Sequence, residues 1–337
     1  MGESMVPELP EPRGELSAWL TETLRGPALL LTDPPVIAPA DPLTDEDFQL
    51  SLYVLYELHY RGFAGVDQDW EWEPSLLAVR GDLERTFEDA VRAVAGPVDA
   101  AIIDVPTKLT ELLEEYKGPP LGRYLEMQAT IEQFREFVVH RSAYQLKEAD
   151  PHSWAIARLT GRAKVALVEI QSDEYGGGRP ERQHARLYAK TMEAIGLDPG
   201  YGAYLDAIPG TTLATVNLMS LFGLHRRLRG AIVGHLALLE MDSTQPNRRY
   251  GNALRRLGFG PEATDFYDEH VEADAVHEAL AAHDLAGALA ADEPGLVGDI
   301  LFGAQAMLAL DETVGKQQYA AFRAGATSLR APLGAVA

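Results

Sequence analysis

Two histidines and an aspartate lie close together in one short stretch of this 337-residue sequence. His270, Asp274 and His277 fall within FYDEHVEADAVHEAL, at intervals of four and three residues. The stretch has no proline or glycine and is rich in Ala, Glu, Leu and Val, so it is predicted to be helical. On a helix that turns about 100° per residue, steps of four and seven residues rotate a side chain by only roughly 40° and 20°. All three side chains should therefore project from one stripe of this helix.

Imidazole and carboxylate groups in such a stripe are suitable ligands for zinc or non-haem iron. The alternative is a solvated helix face that happens to carry two histidines. The sequence has no cysteine, which excludes disulfides, zinc fingers, iron–sulfur clusters and thiol nucleophiles. Any metal must therefore be held by histidine and carboxylate side chains.

The composition is that of an ordinary globular protein, with 46% hydrophobic and 24% charged residues. A formal net charge of −22 gives an acidic surface that repels phosphate backbones and anionic lipids, so nucleic-acid and membrane partners are not expected. No apolar run approaches the roughly 18 residues that a membrane-spanning helix needs, and the N-terminal residues lack the apolar segment of a signal peptide. A cytoplasmic protein is predicted.

The sequence pattern along the chain is predominantly helical. Residues 1–44 are rich in proline and resemble an arm that wraps around the body. Helical patterning begins at Thr44 or Asp45, either of which is a suitable N-cap. A later helix is predicted to run from Leu121 to Asp150, where Pro151 forbids its continuation. Because strand-like alternation is scarce, the predicted fold class is all-α, a multi-helix bundle.

A metal site in a helical bundle needs ligands from several facing helices. The candidates upstream of the His270 stretch are Glu148, Glu174, His184 and Glu240. Glu240 follows several leucines on a helix that is predicted to be mostly buried, where a carboxylate is costly unless it is paired or binds a metal. The alternative is that Glu240 lies near the end of its helix and reaches water.

The second of these candidates has a rival. Glu174 is followed by Gly176, Gly177 and Gly178, which should end or kink its helix. Glu181 and His184 form an E-x-x-H pair, which would place both side chains on one helix face. Either Glu174 or Glu181 could therefore be the carboxylate that accompanies His184.

In their order and spacing, the stretches KEADPH, DEYGGGRPERQHARLY, ALLEM and DEHVEADAVHEAL resemble the haem-oxygenase-like diiron oxidases and oxygenases, a family of iron-containing redox enzymes. The resemblance covers roughly residues 120–290 and implies a haem-oxygenase-like helical bundle over residues 120–325. Residues 1–44 would precede it as the proline-rich arm and residues 45–119 as an N-terminal helical elaboration. The metal ligands that the resemblance implies are Glu148, Glu174, His184, Glu240, His270, Asp274 and His277.

The resemblance also implies an activity: two Fe(II) ions with O2 as cosubstrate. The expected substrate is a small amino acid or amine of specialised metabolism, which would undergo desaturation, N-oxygenation or carbon–carbon cleavage. An electron donor and a homodimer are possible partners. The alternatives are a non-catalytic iron- or haem-binding protein and a metal-free, thiaminase-like enzyme of the same fold, although the latter type relies on a cysteine or on a different polar pocket.

Several polar residues are candidates for a substrate pocket. Glu57, His59, Tyr60 and Arg61 crowd an otherwise apolar helix, which suggests a pocket wall or, alternatively, a helix end that turns toward solvent. Arg186 could bind a substrate carboxylate in the bidentate manner of arginine, although its spacing from His184 points it away from the ligand face.

His140 lies four residues before Tyr144 and eight before Glu148. At that helical spacing it could orient a metal ligand from behind, as could Glu181 if Glu174 binds the metal. The alternative for His140 is a histidine on the helix surface.

Overall fold

A computed structural model describes residues 6–31, 34–35 and 38–333, with the backbone alone at 272–276. All regular elements in that part of the chain are helical, which confirms the predicted all-α class. No helix there is both long and apolar enough to cross a bilayer. In chain order the α-helices are Glu15–Leu24 (α1), Glu46–Glu57 (α2), Pro74–Ala95 (α3), Val105–Glu115 (α4), Leu121–Met127 (α5), Ile131–Gln145 (α6), Asp150–Ser153 (α7), Gly161–Glu174 (α8), His184–Ala194 (α9), Gly210–Leu224 (α10), Arg229–Met241 (α11), Thr244–Arg256 (α12), Pro261–Ala279 (α13), Ala288–Asp292 (α14) and Val297–Ala324 (α15).

Side-chain caps fix where several of these helices begin. Asp45, one of the two predicted N-caps, accepts a hydrogen bond from the backbone N–H of Phe48 at 2.8 Å and so begins α2. Thr130 and Gln133 form a reciprocal capping box at the start of α6. Each cap satisfies N–H groups that have no partner within the helix. These starts are therefore encoded locally in the sequence.

The prediction of one helix from Leu121 to Asp150 is wrong. The chain leaves the helical path at residues 128–130, and α6 ends at Gln145. Pro151 does not terminate this helix; it occupies the first turn of α7, where the missing N–H costs nothing. Ala149, with a φ of 75°, turns the chain between α6 and α7. Glu148 consequently lies in a tight turn and not on a helix.

The interior is organised around α10, nearly all of whose residues are buried. This helix packs against α2, α11 and α15, and α15 packs in turn against α3. The apolar side chains of α2 and α3 therefore belong to the same buried cluster as those of α10, α11 and α15. Residues 45–119, predicted as an elaboration, contribute directly to this interior.

Two glycines allow α11 and α15 to approach each other closely. A β-carbon at Gly234 would overlap the carbonyl oxygen of Ile300, and one at Gly303 would overlap the carbonyl oxygen of Ala231. Backbone thus packs against backbone on both sides of this interface. The contact fixes the position of α11, the helix that carries Glu240.

A second apolar cluster is formed by side chains of α5, α6, α9, α12 and α13. The helix α13 packs against α9, α11 and α12, and it continues through a π-helical segment at Leu280–Gly287 into α14. That segment packs against α8 and α11. The helices α8, α9, α11 and α13 are therefore brought together where the two apolar clusters adjoin.

Gly303→Ala is expected to lower the free energy of unfolding by about 1–3 kcal/mol, because the added methyl group overpacks the interface of α11 with α15. Gly298→Ala on the same helix is the matched control, since a β-carbon there meets Ala100 at an ordinary 3.4 Å. This control should be neutral or stabilising by up to ~1 kcal/mol through helix propensity. Denaturant unfolding of both variants measures the difference, and equal losses of stability would contradict the close approach.

Candidate metal centre

The fold brings six of the predicted ligands to one buried place. None of the six is more than 7% exposed. Glu148 comes from the turn after α6, Glu174 ends α8, His184 begins α9, Glu240 lies near the end of α11, and His270 and His277 belong to α13.

These residues form two groups that share one member. The ligand atoms of Glu148, Glu174, His184 and His270 all lie within 4.8 Å of one another, and so do those of Glu174, Glu240 and His277. Glu174 belongs to both groups. A carboxylate has two oxygens, so this arrangement can hold two cations side by side with Glu174 between them.

Each imidazole faces a carboxylate. His184 Nδ1 lies 2.8 Å from Glu174 Oε2 and His270 Nε2 lies 3.6 Å from Glu148 Oε1. His277 Nδ1 lies 3.4 Å from Glu240 Oε2. The three pairs thus point their nitrogen and oxygen atoms into one shared space.

Hydrogen bonds outside that space set the orientation of two rings. His270 donates its Nδ1–H to the carbonyl oxygen of Phe266 at 2.7 Å, which leaves the Nε2 lone pair directed at Glu148. His277 donates its Nε2–H to Asp173 Oδ2 at 3.0 Å, which leaves Nδ1 directed at Glu240. A metal-binding imidazole commonly has its other nitrogen fixed in this way.

The charges of the site are poorly compensated by the protein itself. Burial raises the pKa of the carboxyl groups of Glu148, Glu174 and Glu240. Burial alone would lower the pKa of His277, but Glu240 and, after it, Asp173 hold that pKa at about 9. At neutral pH a metal would therefore displace a proton from His277 on binding.

The donor set matches the requirements of iron. Oε2 of Glu148 is buried and accepts no hydrogen bond from any described residue, a state that costs about 1–3 kcal/mol unless a ligand compensates it. Carboxylate oxygen together with imidazole nitrogen suits non-haem Fe(II), and three carboxylates offset most of the charge of two such ions. The residues present therefore fit a pair of divalent cations.

The turn that carries Glu148 is held by a specific contact with α8. Ala149 adopts a positive φ, which costs a non-glycine residue roughly 1 kcal/mol or more. Its carbonyl oxygen accepts a hydrogen bond from Gln171 Nε2 at 2.7 Å. Gln171 lies one turn before Glu174, so this bond connects the supports of two candidate ligands.

A cavity of about 500 Å³ adjoins the site, and Glu148, Glu174, Glu240 and His270 line it. Other parts of its wall come from α6, α10, α12, α15 and the connection at residues 116–121. A cavity of this size can enclose a small organic molecule.

Two further histidines lie in the cavity wall. His152 Nε2 is 3.2 Å from His235 Nδ1, and both side chains are almost fully buried. Burial lowers the pKa of both rings, that of His235 to about 4. Both imidazoles are therefore neutral at pH 7 and add polar groups to the wall without adding charge.

The structure distinguishes the two candidate carboxylates near His184. Glu174 enters both ligand groups, whereas Glu181 is exposed in the 3-10 turn Pro180–Arg182. Because that turn is separate from α9, Glu181 and His184 do not share a helix face. Asp274, the remaining predicted ligand, lies outside the residues whose side chains are described.

Four residues predicted as a pocket wall do not line this cavity. Glu57 is fully buried, its Oε2 lies 2.9 Å from Lys147 Nζ, and it accepts a hydrogen bond from the hydroxyl of Tyr201, whose oxygen is 2.8 Å from Oε1 and 2.7 Å from Oε2. The other three make separate structural contacts: His59 with Glu71 and Arg80, Tyr60 with Ser220, and Arg61 with the carbonyl oxygen of Leu146. Their polarity stabilises the packing of α2 against its neighbours.

The remaining predicted positions also have defined surroundings. Arg186 is exposed and does not line the cavity. His140 does line it, with Nδ1 2.7 Å from Thr212 Oγ1 and Nε2 3.0 Å from Ser328 Oγ. Burial lowers the pKa of His140 to about 3, so its ring is neutral. His140 therefore shapes the cavity wall, and its described hydrogen bonds are not to a candidate ligand.

The sequence did not single out several residues that the structure places at the site. Asp173 orients His277, Gln171 supports the turn at Ala149, and His152 and His235 line the cavity. The adjacency of Asp173 to Glu174 was the only sequence signal for the first of these. The others acquire their roles only through contacts between distant helices.

Comparison with known proteins identifies relatives of this chain. The pattern of a family described as iron-containing redox enzymes matches residues 135–312, just over half of the chain and every predicted ligand position. A nitrosourea synthase from Streptomyces achromogenes subsp. streptozoticus is 26% identical over 159 residues, which cover 47% of this chain and 34% of the relative. The chain thus matches about a third of the length of that relative.

Glu174→Gln is expected to weaken metal binding at both positions, because Glu174 alone belongs to both ligand groups. Glu148→Gln and Glu240→Gln should each weaken one position only. Anaerobic equilibrium dialysis with Fe(II), followed by metal analysis, measures the number of ions bound per chain. Glu169→Gln, an exposed change on the same helix as Glu174, is the control. Identical stoichiometry in the Glu174 and Glu148 variants would contradict a shared carboxylate.

Asp173→Ala is expected to lower metal affinity at the position of Glu240 and His277 by about 10–100-fold, because it frees the ring of His277 to rotate and change tautomer. Competition with a chelator, monitored through the absorption of bound Co(II), measures this affinity. The position that contains His270 should be unaffected. A uniform loss at both positions, or no loss at either, would show that Asp173 does not orient His277.

Proposed function

Because the chain belongs to the family of iron-containing redox enzymes, we propose that it is a non-haem diiron enzyme that uses O2 to oxidise a small amino acid or amine in specialised metabolism. The observation that carries this proposal is the pair of buried ligand groups joined by Glu174. A single mononuclear site would not need the second group. The relative's name, nitrosourea synthase, supports a nitrogen-containing substrate.

Each residue of the site has a definite task in this proposal. Glu148, His184 and His270 would hold one iron, Glu240 and His277 the other, and Glu174 would lie between them. When bound, the two irons would supply the activation of O2 and the oxidising power. Phe266 and Asp173 keep the lone pairs of His270 and His277 directed inward. This fixed orientation should let the metals bind without rearrangement of either ring.

The cavity wall supports a polar, nitrogen-bearing substrate. The Oε1 atom of Gln171 and the Nδ1 atom of His152 are buried, line the same cavity as the ligands, and have no hydrogen-bond partner among the described residues. Nε2 of Gln171 already donates to Ala149 and Ser153, which assigns its oxygen as the free acceptor. An N–H group of an amine would satisfy that oxygen, whereas an alkyl chain would leave it unpaired.

Protein loaded anaerobically with Fe(II) is expected to consume O2 faster when its substrate is present. A screen of free amino acids and amines with an oxygen electrode measures this, with product identified by mass spectrometry. Glu174→Gln and His277→Ala should reduce substrate-dependent uptake by at least about a hundredfold, because both disturb the metal ligands. Glu169→Gln should retain the wild-type rate.

The alternative of non-catalytic iron binding makes a different prediction for the same experiment. In that case O2 would oxidise the bound Fe(II) once to Fe(III), and uptake would stop at about one O2 for every two to four Fe(II) added, whichever compound is present, because each Fe(II) supplies one electron. Uptake that no compound accelerates, together with one ion or fewer per chain, would overturn the diiron proposal.

A further inference from the structure

A series of hydrogen bonds passes through the cavity wall between α10, α6 and the residues that follow α15. At its centre, His140 Nδ1 lies 2.7 Å from Thr212 Oγ1, and His140 Nε2 lies 3.0 Å from Ser328 Oγ. The hydroxyl of Ser328 in turn donates to Glu136 Oε2 at 2.8 Å. These four side chains, which we call the His140 network, are therefore linked without a gap by hydrogen bonds of ordinary length.

The two ends of the His140 network lie in different surroundings. Thr212 and His140 line the cavity, and each is only 3% exposed. Glu136 and Ser328 are part-exposed at the protein surface and do not line the cavity. The hydrogen bonds of the network therefore lead from the cavity to solvent.

The partners of Ser328 fix the direction of every hydrogen bond in the network. Glu136 Oε2 accepts from the backbone N–H of Ser328 at 2.7 Å and from its hydroxyl at 2.8 Å. Because the hydroxyl hydrogen points at Glu136, Ser328 Oγ accepts from His140 Nε2–H. Burial lowers the pKa of His140 to about 3, so the ring is neutral and its Nδ1 accepts from the hydroxyl of Thr212. All the bonds thus point outward, from Thr212 to Glu136.

A proton can pass along these bonds without leaving a charge on the buried groups. Thr212 takes up a proton from the cavity at Oγ1 and gives its own hydroxyl proton to His140 Nδ1. His140 releases its Nε2 proton to Ser328 Oγ, and Ser328 releases its hydroxyl proton to Glu136, from which water removes it. Each inner group gains one proton and loses one, so the imidazole changes only its tautomer. This transfer reverses the direction of every bond, and the next proton can then pass inward.

A redox reaction in the cavity would need such a route. Oxidation of an amine or amino acid releases protons, and reduction of O2 consumes them. A molecule that fills the cavity displaces the water that would otherwise carry these protons to and from solvent. A route through the wall remains available while the cavity is occupied.

We propose that the His140 network is a proton relay between the cavity and solvent. Glu136 exchanges protons with water, Ser328 and His140 pass them on, and Thr212 delivers them to the cavity or removes them from it. The use of this relay during turnover rests on the proposed function, whereas proton movement along it does not. The simpler alternative is that the same bonds only hold the residues after α15 against α6, which requires no proton movement.

The first experiment follows proton movement in the absence of O2 chemistry. In Zn(II)-loaded protein with isotope-labelled histidine, NMR should show a neutral His140 ring with its proton on Nε2, and His140→Gln assigns the signals. Exchange of this ring proton with water is then compared in Ser328→Thr, which keeps the hydroxyl, and Ser328→Val, which has nearly the shape of threonine without it. Ser328→Val should slow the exchange at least about tenfold relative to Ser328→Thr. A structural tether alone would lower the stability of Ser328→Val without slowing the exchange.

The second experiment tests the use of the relay in turnover, with Fe(II)-loaded protein, its substrate and an oxygen electrode. Thr212→Val should lower kcat at least about tenfold and increase the solvent deuterium isotope effect on kcat, because proton transfer becomes the slow step. Thr212→Ser, which restores a hydroxyl, should recover most of the lost rate. Thr110→Val, an exposed change on α4 outside the cavity, is the control for the loss of a hydroxyl.

Several outcomes would overturn the relay. They are equal exchange rates in Ser328→Thr and Ser328→Val, a charged His140 ring at neutral pH, and a solvent isotope effect that is the same in Thr212→Val as in the unaltered protein. The expected difference in exchange rates without O2 consumption would support the relay and count against only the proposed reaction. Substrate-dependent O2 consumption that Thr212→Val leaves intact, together with equal exchange rates, would do the reverse.

Discussion

Three buried carboxylates with raised pKa values, two of them each within a few ångströms of the third, Glu174, are the constraint on which this structure depends. Glu174 and Glu240 lie on α8 and α11, and Glu148 lies in the turn after α6. Burial raises the pKa of all three, and Glu240 in turn raises the pKa of the neighbouring His277 against the effect of burial. Such a concentration of negative charge in an interior is unfavourable unless cations enter it. The imidazoles that face the carboxylates have their other nitrogens fixed from outside, so the site is organised for cations that the protein does not supply itself.

The helices around the site maintain this arrangement through close packing, a hydrogen bond and a buried ion pair. Gly234 of α11 and Gly303 of α15 let the two backbones touch, and this contact fixes the position of α11 and therefore of Glu240. The bond from Gln171 to Ala149 connects the turn of Glu148 to the helix of Glu174. Next to that turn, Lys147 forms a buried ion pair with Glu57 of α2, so the N-terminal helices also restrain the site. Breaking a buried pair of this kind is costly because it strands a charge.

The residues that line the adjoining cavity determine the polarity of the space next to the metal ligands. Neutral polar groups line it together with the metal ligands, and acidic and basic side chains on α6, α12, α15 and just after α11 also lie in its wall. The set of metal ligands is consistent with membership of the iron-containing redox enzymes. Which substrate enters the cavity depends instead on the residues that line its wall. An alkyl chain in this cavity would leave the buried acceptor oxygen of Gln171 without a hydrogen-bond partner.

The sequence by itself determined the features that depend on local periodicity and on residue type. These are the all-α class, the helix that carries both His270 and His277, the absence of thiolate ligands, and the start of α2 to within one residue, at Thr44 or Asp45. Tertiary structure decided everything that depends on contacts between distant segments. Glu174 rather than Glu181 enters the ligand groups because Pro180–Arg182 forms a separate turn, and Glu57 became a structural residue because Lys147, ninety positions later, meets it in the interior. A carboxylate or an arginine looks the same in a sequence whether its partner is water, another residue or a ligand, because burial and distance are properties only of the folded chain.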